Sequence, residues 1–227
     1  TQNKMETINF PKKTLKVSFN EWESKIPYYI IKGKRPGPKI FISAGMHGAE
    51  INGIAIVRTF LEKAQKENLI DDLYGSIVVI PVINISGFNE MKRQVQEDKR
   101  DLNRAFGKYP IKSFSEALAD KLTTQIFSKC SLGIDCHDAG ASTILMPHVR
   151  IHKDDPEGLN RALGRAFGTK VLIKRKANQN MMAEHLRMKH NVPVITVEIG
   201  GAQIIDEEAV NEGVQGIYNI LIHTKMF

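Results

Sequence analysis

Short apolar runs alternate with longer amphipathic segments along most of this chain. Four runs are continuous enough to indicate strands covered on both faces of a sheet: KIFIS (39–43), SIVVIPVIN (76–84), SLGIDCH (131–137) and PVITVEIGG (193–201). Apolar residues recur at helical spacing between and after these runs, most clearly in 50–66, 115–130 and 206–225. This alternation predicts an α/β fold, a three-layer α/β/α sandwich around a mixed, largely parallel central sheet.

The remaining predicted elements fit around this frame. They are two early strands (14–19 and 28–33), a helix (156–168), a short strand (171–174) and a further helix (180–190). A polar loop from Ser86 to Arg104 is long enough to suggest a function. No linker-like stretch interrupts the pattern, so we expect residues 1–227 to form a single domain.

Charge and composition narrow the choice of partners. The chain carries 32 basic and 25 acidic residues, a net charge of +7, but the two signs are interleaved and aromatic residues make up only 7%. Because a nucleic-acid surface usually combines a basic stripe with stacking aromatic residues, we expect a small anionic substrate and no nucleic acid. The longest apolar run, 77–85, is shorter than the roughly 20 residues of a membrane-spanning helix, so we expect no membrane.

Other features of the sequence bear on the location of the protein. The first residues are polar and show no signal-peptide pattern. Cys130 and Cys136 lie in or beside an apolar stretch, which favours buried free thiols. These features together predict a reducing, cytoplasmic setting. The sequence leaves open whether the protein forms a homo-oligomer.

Chemically reactive side chains lie in or after each of the four apolar runs. His47 and Glu50 come after the first run, and an Asn-Arg pair at 103–104 ends the loop after the second. His137 ends the third run, and Glu198 lies in the fourth. Because the carboxyl ends of parallel strands meet at one edge of a sheet, we expect these side chains to share one face.

The spacing of His47 and Glu50 is compatible with two ligands of one metal ion. Two residues three apart on a turn can offer an imidazole nitrogen and a carboxylate oxygen to the same zinc ion, and Gly45 and Gly48 would permit a tight turn there. His137 is the candidate third ligand, which would leave a fourth position for water. A helix-capping or surface role is the competing interpretation of His47. The other histidines lie in polar or helical-surface contexts and are interpreted as surface residues: 148, 152, 185, 190 and 223.

Four motifs in order resemble one known family. GMHGAE, R…DLNRAF, DCHDAG and VEIGG, spread over roughly residues 38–222, resemble the succinylglutamate desuccinylase/aspartoacylase family, part of the wider group of zinc carboxypeptidase-like hydrolases. The resemblance implies that His47, Glu50 and His137 bind one zinc ion. It also implies that Glu198 is the general base, which takes a proton from water and passes it to the departing amine.

The resemblance further implies how a substrate would be held. Asn103 and Arg104 would grip its carboxylate, and a guanidinium fork suits a carboxylate bidentately. Arg93 matches the arginine that polarises the scissile carbonyl in the family, although Arg100 could equally occupy that place. Asp101 is interpreted as a residue that orients the loop.

Two other charged residues near the motifs keep open roles. Asp135 could orient a metal ligand, although a strand residue two before His137 should share the face of that histidine. Arg150 is interpreted as a surface residue, with binding of an acidic acyl group as the alternative.

We expect a zinc-dependent amidohydrolase that cleaves an N-acyl amino acid or a similar carboxylate-bearing amide. A metallocarboxypeptidase acting on a small peptide, such as a cell-wall fragment, is the alternative, because it would use the same zinc ion and carboxylate clamp. A non-catalytic binding module is the third interpretation, and the complete set of reactive residues counts against it. Typical family members continue into a smaller β-rich domain that closes over the substrate. We expect this chain, which ends at Phe227, to lack that domain, so the family does not name its acyl group.

Overall fold

A mixed sheet of eight strands lies at the centre of the part of the chain that the computed structural model describes, residues 7–227 except 142, 154, 156 and 177. The strands are β1 (Lys12–Phe19), β2 (Trp22–Lys32), β3 (Arg35–Ala44), β4 (Tyr74–Ile80), β5 (Leu132–His137), β6 (Ile144–His152), β7 (Val171–Arg175) and β8 (Val194–Gly201). Their order across the sheet is β1-β2-β4-β3-β5-β8-β6-β7. The four inner strands β4, β3, β5 and β8 are mutually parallel, whereas β1, β2 and the β6–β8 pair add antiparallel contacts.

Helices cover both faces of this sheet. They are α1 (Ile51–Lys66), α2 (Ile85–Asn89), α3 (Phe114–Gln125), α4 (Leu159–Phe167), α5 (Met182–His190) and α6 (Glu207–His223). Helices α1, α4 and α6 pack on one face, and α3 and α5 pack on the other. Successive strand side chains point to opposite faces of the sheet. Ile40 and Ile42 of β3 therefore enter the core under α1, α4 and α6, while Phe41 enters the core under α3 and α5. The predicted α/β/α sandwich with a largely parallel mixed sheet is confirmed.

Capping side chains define where two of the helices begin. The Ser113 hydroxyl accepts the Glu116 N–H at the start of α3, and the Asp206 carboxylate accepts two backbone N–H groups at the start of α6. Glu207 and Glu208 follow in the first turn of α6, where negative charge favours the helix dipole. Ser113 is therefore the N-cap of α3.

The sequence does not predict strand β6. Its residues, ILMPHVRIH, form no continuous apolar run, and they include a proline. The strand accommodates Pro147 because its pairing with β8 shifts register between Leu145 and His148. The interpretation of His148 and His185 as surface residues is wrong, because both side chains are buried, at 6% and 8% exposure.

Within the described residues, no helix combines the length and apolar character needed to cross a membrane. Cys130 and Cys136 are free thiols, and both are buried.

Candidate metal centre and active site

His47 and Glu50 lie in the turn that joins β3 to α1. The turn begins at Gly45, whose φ of +65° favours glycine. A Cβ at Gly48 would lie 1.9 Å from the backbone carbon of Gly87, so the chain passes too close to α2 for any side chain there. Both His47 and Glu50 are buried, at 3% and 4% exposure. The tight turn thus delivers two polar side chains into the interior at the carboxyl end of a central strand.

Strand register brings His137 and Glu198 together. The parallel strands β5 and β8 pair these two residues directly, so their side chains project side by side from the same face. Both are buried. The sequence could only place them at the ends of separate strands.

Three predicted metal ligands converge in one cluster. The two carboxylate oxygens of Glu50 lie between two imidazoles, at 2.6 Å from His47 Nδ1 and 2.7 Å from His137 Nδ1. One potential ligand atom from each of the three residues lies within 4.8 Å of the others, a grouping that a metal ion could occupy. We call these three residues the His-Glu-His cluster.

Further carboxylates hold the outer nitrogens of both rings. His47 Nε2 lies 3.1 Å from Asp101 Oδ1, and His137 Nε2 lies 2.6 Å from Asp135 Oδ2. The Ser43 hydroxyl donates to the other oxygen of Asp135 at 2.7 Å. Asp135 shares a face with His137, as strand alternation requires, and this is why it reaches the nitrogen that points away from Glu50. Carboxylates in this position typically orient zinc-binding histidines.

Mutual contacts shift the pKa values of these groups. Burial alone would raise the pKa of Glu50, but the charges and hydrogen bonds of His137 and His47 outweigh burial and lower it. The pKa of Asp101 is also lowered, because contacts with His47 and Arg93 outweigh burial. Burial would lower the pKa of His137, but Asp135 and Glu50 raise it well above its ordinary value.

The donor set of the cluster fits a divalent cation. The Nε2 atoms of His47 and His137 face Asp101 and Asp135, and Nε2–H groups that donate to these carboxylates leave both Nδ1 lone pairs beside Glu50 for a cation. Two imidazoles and one carboxylate are also a common protein ligand set of catalytic zinc.

Arg93, rather than Arg100, lies at the His-Glu-His cluster. Arg93 donates through Nε and Nη2 to Asp101 Oδ2, at 3.2 and 3.0 Å, and its Nη1 lies 3.4 Å from Glu50 Oε1. Arg100 instead pairs with Glu116 at 3.3 Å. Asp101 therefore contacts both His47 and Arg93, whereas the sequence predicted only that it orients the loop.

Asn103 and Arg104 reach the same cavity from a 3₁₀ turn, Leu102–Arg104. The turn is fixed by Asp101 Oδ1, which accepts the Asn103 N–H at 2.9 Å. Asn103 Oδ1 accepts the Met182 N–H at 2.9 Å, and in the described part of the chain the side-chain NH₂ group of Asn103 has no acceptor. Arg104 donates to the Asn103 carbonyl, and among the described residues it has no carboxylate partner. The pair thus offers unused donors to a ligand.

A cavity of about 360 Å³ adjoins all seven residues for which the sequence predicts a site role. They are His47, Glu50, Arg93, Asn103, Arg104, His137 and Glu198. The sequence missed the part of the wall formed by Arg175, and it favoured a surface position for Arg150. In the structure Arg150 Nη1 lies 2.7 Å from Glu198 Oε1, and the Arg150 side chain is 30% exposed. Polar residues stand at every second position here, at His148, Arg150 and His152. This alternation is the sequence pattern that could have predicted strand β6.

Two charged side chains of the cavity wall, Glu198 and Arg175, have shifted pKa values. Burial raises the pKa of Glu198, although His137 and Arg150 oppose the rise. Burial lowers the pKa of Arg175, and the positive charges of Arg150 and Arg104 lower it further. Among the described residues, the lining of the cavity combines three buried carboxylates with four guanidinium groups.

The fold is that of the zinc carboxypeptidase-like α/β proteins. A metallo-carboxypeptidase from Burkholderia cenocepacia has the same fold, with a TM-score of 0.68 and 16% identity over 88% of this chain and 61% of that chain.

More specifically, residues 36–224 match the succinylglutamate desuccinylase/aspartoacylase catalytic domain. The chain therefore belongs to the succinylglutamate desuccinylase/aspartoacylase family, as its motifs predict. A crystal structure of a succinylglutamate desuccinylase/aspartoacylase from Rhodobacter sphaeroides shares the fold, with a TM-score of 0.81 and 24% identity over 96% of this chain and 67% of that chain.

A relative in Halomonas elongata is an N-alpha-acetyl-L-2,4-diaminobutyric acid deacetylase. It is 27% identical over 202 residues, which are 87% of this chain. The chain spans 58% of the length of that relative. Desuccinylases and deacetylases are amide hydrolases, the class of relatives that the sequence predicts.

Proposed function

We propose that this protein is a zinc-dependent amidohydrolase that removes an acyl group from an N-acyl amino acid or a similar carboxylate-bearing amide. The observation that carries the proposal is the His-Glu-His cluster with Glu198 beside it on the wall of one cavity. Family membership and the name of the Halomonas relative, a deacetylase of an acylated diaminobutyric acid, support the same reaction.

His47, Glu50 and His137 would hold one zinc ion, with Asp101 and Asp135 orienting the two imidazoles. A zinc ion bound there would act as a Lewis acid and lower the pKa of a water molecule toward neutrality.

Glu198 is the proposed general base and acid. Its Oε1 contacts Arg150, and among the described residues its Oε2 has no hydrogen-bond partner. Oε2 can therefore accept a proton from the attacking water and deliver it to the departing amine nitrogen. Arg93, beside Glu50, is the proposed donor to the scissile carbonyl oxygen, where negative charge develops.

Asn103 and Arg104 are the proposed clamp for the carboxylate of the substrate. The NH₂ group of Asn103 and the guanidinium of Arg104, which lacks a carboxylate partner among the described residues, can donate together to two carboxylate oxygens. Arg175 increases the positive charge of the cavity, which further favours an anionic ligand.

The first test is the metal content of the purified chain, measured after incubation with zinc and removal of the excess. We expect one zinc ion per chain, and its absence would refute the proposal. Glu198→Gln should retain the zinc and lose turnover by several orders of magnitude, because Gln keeps the shape but cannot carry the proton. Unchanged turnover would remove Glu198 from the mechanism.

A substrate panel tests the reaction itself. N-acetyl and N-succinyl amino acids, including N-acetyl-L-2,4-diaminobutyrate, are compared with short peptides that have a free carboxyl terminus. Hydrolysis of acyl amino acids supports the proposal. Faster hydrolysis of the peptides would instead favour a metallocarboxypeptidase, and binding without hydrolysis would favour a non-catalytic module.

A further inference from the structure

Arg150 is held at two points on the cavity wall. Its Nη1 lies 2.7 Å from Glu198 Oε1, and its Nε donates to His148 Nε2 at 3.1 Å. The antiparallel register pairs His148 with Glu198 and Arg150 with Thr196, so strand alternation puts all three polar side chains on one face. The guanidinium thus bridges an imidazole and the proposed general base.

The hydrogen bonds of His148 specify its tautomer. His148 Nδ1 lies 2.9 Å from the Met146 carbonyl oxygen, which can only accept, so Nδ1 carries a proton. Arginine can only donate, so the Nε2 atom that faces Arg150 is unprotonated. His148 is therefore neutral, and it is 6% exposed. The imidazole accepts from Nε of Arg150 and leaves Nη1 of Arg150 to contact Glu198.

The bridge makes the two oxygens of Glu198 unequal. Oε1 is occupied by Arg150, whereas Oε2 has no partner among the described residues and Glu198 lines the cavity. An unrestrained carboxylate can rotate about its bond to the side chain. The contact with Arg150 holds one oxygen and so fixes the plane of the carboxylate, which leaves the other oxygen toward the cavity.

We propose that Arg150 and His148 are positioning residues that hold Glu198 with Oε2 directed at the reacting groups. This inference rests on the proposed role of Glu198 and assigns Arg150 neither to the surface nor to substrate binding. Misplacement of a reacting group by about 1 Å can cost roughly 100-fold in rate, so the loss should fall on kcat.

The kinetic test uses the zinc-loaded full chain and the N-acyl amino acid of the panel that it hydrolyses fastest. Arg150→Met should lower kcat by about 10- to 100-fold and leave KM within about twofold. Arg150→Lys, which keeps the charge but loses the fork, should fall between Met and wild type. Arg58→Met on α1, where Arg58 pairs with Glu62 at 3.0 Å, is the matched control and should leave kcat unchanged.

His148 is tested by a pair of variants that differ in one hydrogen bond. His148→Gln keeps an acceptor for Arg150 and should retain most of kcat, whereas His148→Leu removes it and should resemble Arg150→Lys. A rise in KM at constant kcat would make Arg150 a substrate-binding residue and overturn the proposal. Equal kcat values for the Gln and Leu variants, or a lower Tm with unchanged kcat for Arg150→Met, would also overturn it.

Nitrogen-15 NMR of histidine-labelled, zinc-loaded protein tests the bridge without any substrate. We expect His148 to be protonated at Nδ1 only, and its Nε2 signal to move in Arg150→Met. Protonation of His148 at Nε2 would overturn the proposal, even if Arg150→Met failed to fold. If the wild type binds zinc but hydrolyses nothing, the proposed function fails, and the spectrum still decides whether the bridge exists.

Discussion

The contact between Asp135 and His137 gives a quantitative prediction for zinc affinity. Asp135 is 1% exposed, its Oδ2 lies 2.6 Å from His137 Nε2, and its Oδ1 accepts the Ser43 hydroxyl at 2.7 Å. Asp135→Asn preserves the shape and can keep both hydrogen bonds, because the Ser43 hydroxyl can accept from the new amide. The substitution therefore removes mainly the negative charge behind the imidazole.

Loss of this charge should weaken zinc binding by about 10- to 100-fold, the usual cost of removing a carboxylate behind a histidine ligand. This corresponds to roughly 1.4–2.8 kcal/mol of binding free energy. The reason is that the carboxylate makes the imidazole a stronger electron-pair donor to the metal and fixes the orientation of the ring.

A competition titration against a chelator of known zinc affinity measures the effect at constant pH. Ser43→Ala is the matched control: it removes one hydrogen bond of Asp135 but keeps the charge, so zinc affinity should change by less than about threefold, the effect of roughly 0.6 kcal/mol. Unchanged zinc affinity in Asp135→Asn would refute the assigned role of this carboxylate. An equal loss in both variants would show that packing, rather than charge, holds the ring.

Three further predictions address the turn, the clamp and the thiols. Gly48→Ala should destabilise the fold by about 3 kcal/mol in urea unfolding, because its Cβ would meet the backbone of α2 at 1.9 Å. The control Gly158→Ala, with open space around the Cβ and only a φ of +69° to strain it, should cost about 1–2 kcal/mol; equal costs would contradict the close approach. Asn103→Asp should raise KM for carboxylate substrates by about 10-fold or more while zinc content stays constant, because a donor becomes a like charge; an unchanged KM would remove Asn103 from the clamp. Burial raises the pKa of Cys130 to about 11 and also raises that of Cys136, so at pH 8 both remain protonated. A thiol reagent should therefore detect no thiol in the native chain and two after unfolding, and rapid labelling of the native chain would disprove their burial.

Much of the fold is encoded locally, which is why the sequence predicts it. Strands covered on both faces need continuous apolar runs, and helices need apolar residues at helical spacing, so both elements are visible in a short window. His47 and Glu50 are close because they are three residues apart in one turn. The family motifs also carry enough local information to predict the family, which the match over residues 36–224 confirms.

Tertiary structure alone decided the features that depend on distant parts of the chain. The choice between Arg93 and Arg100 required the folded loop, since both lie in one polar stretch of sequence. The β6 strand shows no apolar run, yet its antiparallel insertion beside β8 brings Arg150 to Glu198. Strand order and register are set by the packing of the whole sheet, whereas a sequence window reports only the preferences of neighbouring residues. The sequence thus determined most of the elements and the reactive side chains, whereas the packed sheet determined strand β6 and which of those side chains touch.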